Sequence, residues 1–296
     1  MVKKYLSLVK FSHTIFALPF AFIGFFMGLY FVAQQQSATM VEVLQQKHML
    51  QLFLLVLVCM VTARSAAMAF NRYLDRSFDA KNPRTAIREI PSGVIAASSA
   101  LRFVILNAVI FIAATYYINP ICFYLSPVAL FVILFYSYTK RFTALCHIVL
   151  GLGLSLAPIG AYLAVTGSFA VLPILFSCVV ICWVSGFDII YALQDVDFDA
   201  SQNLHSIPTY LGKVNALKLS VLLHVVAAAL VIVAGLLAGY GYFYWEGALV
   251  FIGMLYYQHS IVSPTNLTKV NIAFMTANGI ASVIFGIHVL VALFLK

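Results

Sequence analysis

"NRYLDRSFDAKNPRTAIREIPSG", residues 71–93, gathers three acidic and five basic side chains into a chain that is otherwise almost free of charge. The sequence on either side turns apolar for about 20 residues, the length that crosses the hydrocarbon core of a bilayer. The stretch therefore reads as a loop at a membrane surface. Hydrophobic types make up 64% of the 296 residues and charged types 9%, against roughly 25% charged in a soluble domain. This composition excludes a soluble enzyme and predicts an all-α integral membrane protein. Apolar runs at 11–33, 48–70, 97–117, 119–138, 145–166, 168–190, 216–240, 243–262 and 270–295 predict nine transmembrane helices in one polytopic domain over 1–296. The polar segments that break this pattern are the loops at about 71–93 and 188–208.

With nine spans, the N-terminus and the loops after the second, fourth, sixth and eighth spans share one membrane face. Of 17 Lys and Arg, fifteen fall on that face and only Lys47 and Lys296 on the other. Basic residues accumulate on the cytoplasmic side of membrane proteins, so both charged loops are expected in the cytoplasm and the protein in the cell (inner) membrane. The basic residues frame loops and form no free tail, which argues against a nucleic-acid partner. No obligate protein partner is evident. Lys3, Lys4 and Lys10 precede an apolar stretch too long for a signal-peptide core, so the first span is expected to be retained. The five cysteines lack metal-ligand spacing and read as inert thiols of apolar helices. Gly151, Gly153, Ser155, Pro158 and Gly160 are expected to allow close helix packing and a kink in the fifth span.

Seven of the nine acidic residues lie in the opening stretch and in "FDIIYALQDVDFDASQNLHSIP", residues 187–208. Asn71, Asp75 and Asp79 recur every fourth residue. They share a ridge if the second span continues past the membrane surface, with Arg64 two turns earlier on the same side. Asp188, Tyr191, Asp195 and Asp199 form a second stripe, while Asp197 falls between its steps and is expected to face solvent. Asp75 with Asp79, Arg72 with Arg76, and Asp195 with Asp199 are like-charge i,i+4 pairs, each costing an isolated helix roughly 0.2–0.5 kcal/mol. A merely solvated helix end has no use for such pairs, whereas a bound counter-ion offsets them. An oxygen-rich, thiolate-free set suits Mg²⁺ held through carboxylates and substrate phosphates. Arg64, Arg72, Arg76, Lys81, Arg84, Arg88, Lys140 and Arg141 supply cations for phosphate oxygens. Acid, metal and base together describe a diphosphate site.

Asn71-x-x-x-Asp75-x-x-x-Asp79 and Asp195-x-x-x-Asp199, separated by four spans, resemble the two aspartate-rich motifs of the UbiA-type intramembrane aromatic prenyltransferases. "NPRTAIREIPSG" after the first motif, "DIIYALQD" leading into the second and "YSYTKR" at 136–141 extend the resemblance over the first six spans and the following loop. It implies a helical bundle around a central cavity open to lipid. It also implies transfer of a polyprenyl chain from polyprenyl diphosphate to an aromatic ring, with Mg²⁺ between the motifs. Carried over by position, Asn71, Asp75, Asp79, Asp195 and Asp199 hold metal and diphosphate, Arg64 and Lys140 touch phosphate, and Tyr136 with Asp188 borders the acceptor. Arg72 and Arg141 join the diphosphate contacts, and Asp75, Asp79, Asp188, Asp195 and Asp199 make up the expected catalytic set. The implied acceptor is a hydroxylated aromatic acid of the 4-hydroxybenzoate type, used in quinone biosynthesis. The 4-hydroxybenzoate branch tends to end its first loop in Arg-Pro-Leu-Pro-Ser-Gly, where this chain has "REIPSG". "KFSHTIFALPFAF" and "DAKNPRTA" are more similar to a bacterial branch associated with menaquinone, whose acceptor is 1,4-dihydroxy-6-naphthoate.

A multi-pass transporter is the rival from another class, and it would place charge in the middle of several spans. Here nearly all charge gathers at one face. His13, inside the first span, is a candidate for substrate contact or for packing against another helix. Topology offers the first test: reporters fused after Lys81, Arg141 and Lys213 should read cytoplasmic, and one fused after Val41 external. An external reading at Lys81 contradicts the arrangement.

Overall fold

The computed structural model describes residues 2–9 and 16–296, so Lys10 and His13 lie outside the described residues. Apart from one isolated bridge between Ser263 and Asn266, regular structure among the described residues is helical. The first half comprises α1 (Val2–Leu8), α2 (Leu18–Gln36), α3 (Met40–Gln45), α4 (Lys47–Leu74), the single turn α5 (Arg76–Asp79), α6 (Ala97–Ile118) and α7 (Pro120–Thr139). The second half comprises α8 (Cys146–Thr166), α9 (Val171–Ala192), α10 (Val196–Ser201), α11 (Ile207–Ala238), α12 (Tyr242–Ile261) and α13 (Asn278–Phe294). A 3₁₀ turn, Leu193–Asp195, precedes α10, and a π-helical segment, Ile272–Ala277, leads into α13.

Among the described residues, eight helices are long and apolar enough to cross a membrane, by length and composition. The remaining expected span, 243–262, coincides with α12, which has the length but is made less apolar by Glu246, Gln258, His259 and its tyrosines. The boundary between the third and fourth spans falls at Asn119, whose extended backbone ends α6. Its side chain caps α7 by accepting from the Cys122 amide at 2.9 Å and donates to the Leu163 carbonyl at 2.8 Å. Gly239, at φ 60°, ends α11 in the left-handed region that glycine tolerates. The seventh helix starts nine residues before the expected 216, capped by Ser206, and breaks its helical geometry at Gly212 (φ 74°). Its first turns lie outside the apolar run, which is why hydropathy alone missed them.

α9 is the central element, packed between α8 and α11, while α4 packs on α6, α2 on α8 and α12 on α13. Phe20, Trp183, Tyr244, Phe251 and Phe285 fill the core. Within it, fully buried Asn278 accepts from Trp183 Nε1 and Gln258 Nε2, each at 2.8 Å, and donates back to the carbonyls of Ala273 and Phe274. This closes a polar hub where water cannot reach. Gly151 sets the spacing of α8 and α9, since a Cβ there would stand 2.6 Å from the Ile181 carbonyl oxygen and from Ser185 Oγ. The close approach brings the N-terminal end of α8 and the C-terminal end of α9 within side-chain reach.

Asn278→Leu should leave two buried N–H donors unpaired, at roughly 1–3 kcal/mol each. Its thermal unfolding midpoint in detergent should fall by several degrees; an unchanged midpoint contradicts the hub.

Candidate active site

The two charged stretches meet at one end of the bundle. α4 ends at Leu74 and Asp75 leaves helical geometry (φ −89°, ψ 5°), yet the amides of Asp75 and Asp79 still reach the carbonyls of Asn71 and Asp75, at 2.9 and 2.8 Å. The i,i+4 spacing thus survives the break. Asn71, Asp75 and Asp79 line one pocket of about 290 Å³ with Asp188, Asp195, Asp199, Tyr136, Arg64, Arg72 and Lys140. Asp197 is exposed and lies outside it.

Each aspartate of the two motifs has a cationic partner from another segment. Arg141 Nη2 stands 3.2 Å from Asp75 Oδ1, Arg88 Nη1 donates to Asp79 Oδ1 at 2.6 Å, and Lys140 Nζ is 2.8 Å from Asp199 Oδ2. Arg84 grips both oxygens of Asp195, with its Nε at 3.1 Å from Oδ1, and its Nη1 donates to Tyr191 Oη at 2.9 Å. The cost of like-charge neighbours is therefore offset in the protein itself, by basic residues of the loop after α5 and of the segment after α7. Burial pushes the Asp75 carboxyl up to about 6, although Arg141 pulls the other way. Burial alone would lower Lys140, but Asp199 holds its ammonium above the ordinary lysine value.

Two cations are left over. Arg72 is only 6% exposed, and neither it nor Arg64 has a hydrogen-bond or ion-pair partner among the described residues; the Nε of each is buried without one. An unpaired buried guanidinium is costly. Both line the polar pocket, and Arg64 also lines a second, apolar cavity of about 390 Å³ between α4, α6, α7 and α8. Arg64, Met68, Tyr136, Leu150 and Leu154 line both spaces, so these side chains mark a continuous junction from charged to apolar surroundings.

Arg141, expected at phosphate, does not line the pocket. Its guanidinium lies over the rings of Tyr138 and Phe78 and also donates to the Leu74 carbonyl, which makes it the support of Asp75. Arg76 and Lys81 likewise turn away, to the Tyr73 carbonyl and to Gln202. Sequence reasoning missed His147, which is 3% exposed and bonds Asp188 Oδ2 through Nδ1 at 2.7 Å. An ionisable residue at the membrane end of an apolar helix was the available signal.

The residues expected to hold metal offer hard oxygens, and Asp79 Oδ2 is buried without a hydrogen-bond partner. Among the described residues no three acidic, His or Cys side chains already form a metal cluster. Mg²⁺ is commonly held by one or two carboxylates, waters and substrate phosphates, with no protein cage. The donors therefore fit it.

The UbiA prenyltransferase family profile matches residues 17–280. The chain belongs to the UbiA prenyltransferase family. Proteins named 4-hydroxybenzoate octaprenyltransferase are similar to it. One from Shewanella pealeana is 28% identical over 236 residues, covering 80% of this chain and 82% of that one. Another from Tolumonas auensis is 31% identical over 222 residues, covering 75% and 77%. The apo structure of a UbiA homologue from Aeropyrum pernix K1 superposes with a TM-score of 0.81 at 29% identity, covering 94% of this chain and 97% of that one. A homologue from Archaeoglobus fulgidus bound to GPP and Mg²⁺ shares the fold, with a TM-score of 0.76 at 21% identity and coverage of 99% and 100%. Membership makes this multi-pass membrane protein a prenyltransferase.

The raised Asp75 value sets a pH dependence. Between about pH 4 and about 6 the folded protein holds a proton at Asp75 that the unfolded chain has released, so this group's contribution to stability falls as pH rises through that window. Asp75→Asn should lack that fall. Thermal unfolding without metal at about pH 4.5 and about pH 6.5 should show the wild type losing on the order of 1 kcal/mol more than the variant. Equal losses contradict the assignment.

Proposed function

We propose that the protein transfers a polyprenyl chain from polyprenyl diphosphate to a hydroxylated aromatic acid of the 4-hydroxybenzoate type, in quinone biosynthesis at the cytoplasmic face of a cell membrane. The observation that carries this reading is the junction at Arg64. Arg64, its Nε buried without a partner, lies where a carboxylate-lined pocket runs into an apolar cavity, and the buried Arg72 lines that pocket, a shape and charge that suit an anionic head on a long hydrocarbon tail. The names of the Shewanella and Tolumonas relatives support the aromatic acceptor, and the GPP and Mg²⁺ of the Archaeoglobus homologue support the donor and the metal.

Asn71, Asp75, Asp79, Asp195 and Asp199 would hold Mg²⁺. When bound, the metal supplies positive charge that stabilises the departing diphosphate. The chain's own cations do the same work by position. Arg64 and Arg72 need no partner exchanged before they bind phosphate oxygens, whereas Lys140, Arg84 and Arg88 can be released from their aspartates as those turn to metal. Preorganised charge of this kind favours the state in which the C1–O bond is breaking. The apolar walls around Leu150 and Leu154 keep water from the allylic carbon. Tyr136, at the same junction, borders the acceptor ring, and Asp188 lines the adjoining polar pocket.

Full-length protein offered farnesyl to octaprenyl diphosphates with 4-hydroxybenzoate and 1,4-dihydroxy-6-naphthoate, with products identified by mass, tests the reading. A prenylated ring dependent on Mg²⁺ is expected, and the preferred acid decides between the two branches. No prenylated product with any aromatic acid overturns it. Asp75→Asn and Asp195→Asn should each lower turnover by at least about 10²-fold without unfolding the protein. Asp197→Asn, off the pocket, should cost far less; equal losses at all three contradict the placement of the motifs.

A further inference from the structure

The buried pair His147 and Asp188 is left without a defined task by the diphosphate chemistry. Asp188 was expected to border the acceptor directly, but its Oδ2 is engaged at 2.7 Å by His147 Nδ1. The opposite ring nitrogen, Nε2, is buried and has no hydrogen-bond partner among the described residues. The backbone supports this pose, since Ser185 Oγ donates to the His147 carbonyl at 3.1 Å and Gly151 keeps α8 and α9 close. Both side chains line the polar pocket with Tyr136, Leu150 and Leu154, the residues that continue into the apolar cavity. A prenyl donor with its head among the arginines and its tail in that cavity has its C1 at this junction.

We infer that His147 is the catalytic base for the acceptor, its Nε2 taking the hydroxyl proton of the aromatic ring, and that Asp188 acts behind it as a positioning residue. This rests on the proposed phenolic acceptor. A carboxylate that accepts from Nδ1–H fixes the neutral tautomer whose Nε2 carries a free lone pair, the relation by which an aspartate orients a catalytic histidine. The O–H bond breaks with its proton passing to Nε2 and its electron pair staying on oxygen. The ring carbon ortho to that oxygen forms a bond to prenyl C1 while the C1–O bond breaks, its pair leaving on diphosphate. The same ring carbon then gives its proton to diphosphate, the C–H pair restores the aromatic ring, and the oxygen recovers its proton from His147.

The test uses full-length protein in nanodiscs with Mg²⁺, comparing a 4-hydroxybenzoate acceptor with a fluorinated analogue whose hydroxyl is already ionised at the assay pH. His147→Gln, which can still donate to Asp188 but cannot take a proton, should lower kcat for the un-ionised phenol by about 10²-fold. Its KM for the prenyl diphosphate should be unchanged, and its loss on the ionised analogue should be several-fold at most. Asp188→Asn should show the same acceptor-dependent split in milder form, and stands in if His147→Gln loses prenyl diphosphate binding through misfolding. Wild-type kcat in His147→Gln, or equal losses on the two acceptors, overturns the assignment. A wild type that binds prenyl diphosphate yet prenylates neither phenol instead overturns the parent reading, and this assignment with it.

Discussion

Charge compensation between two loops is the constraint on which the site depends. Asp75, Asp79, Asp195 and Asp199 stand at the ends of apolar helices, where an unpaired carboxylate would be expensive. Each is met by a cation from another segment: Arg141, Arg88, Arg84 and Lys140. Arg84 and Arg88 come from the loop after α5, and Arg84 carries that loop across to Asp195 and Tyr191 near the end of α9. Lys140, just beyond α7, reaches Asp199 in α10. The pairs thus tie the two motif-bearing ends of the bundle together and define the pocket between them. What the pairing leaves unsatisfied is as informative. Among the described residues Arg64 and Arg72 remain without partners and Asp79 keeps one bare oxygen, which the proposed diphosphate and Mg²⁺ would meet.

The bundle supplies the rest by geometry. Gly151 lets α8 and α9 approach, which allows His147 to reach Asp188 and Ser185 to hold the His147 carbonyl. The π-helical segment before α13 places Phe274 against Tyr191, ring centroids 4.3 Å apart, beside the Arg84 contact. A local widening of this kind often accompanies a functional site. The Asn278 hub lies directly after it and anchors α9 through Trp183. Packing deep in the core is thereby connected to the position of the second aspartate motif.

Much of this was legible in the sequence. Apolar run lengths located the long helices, and the four-residue spacing of Asn71, Asp75 and Asp79 held through the break at Asp75 because the backbone hydrogen bonds continue across it. Asp197 fell off the stripe as its spacing required. What spacing could not supply was the identity of partners, since Arg84 with Asp195 and Lys140 with Asp199 are joined only by tertiary folding. Arg141 illustrates the limit: its charge and position suited phosphate, but the rings of Tyr138 and Phe78 direct it to Asp75. His147 was overlooked because a lone histidine in an apolar helix acquires meaning only once Asp188 is seen opposite it. α12 falls where the apolar run at 243–262 placed it, but its tyrosines and polar C-terminal residues leave it less apolar than the other long helices.

Equilibrium binding of a polyprenyl diphosphate to the full-length protein in nanodiscs, with and without Mg²⁺, tests the compensated-charge site most directly. The account predicts binding that strengthens with Mg²⁺ and weakens by about tenfold or more in Arg64→Met and in Arg72→Met, the loss of a charge-assisted phosphate contact. Binding indifferent to Mg²⁺ and undiminished in both variants would contradict it.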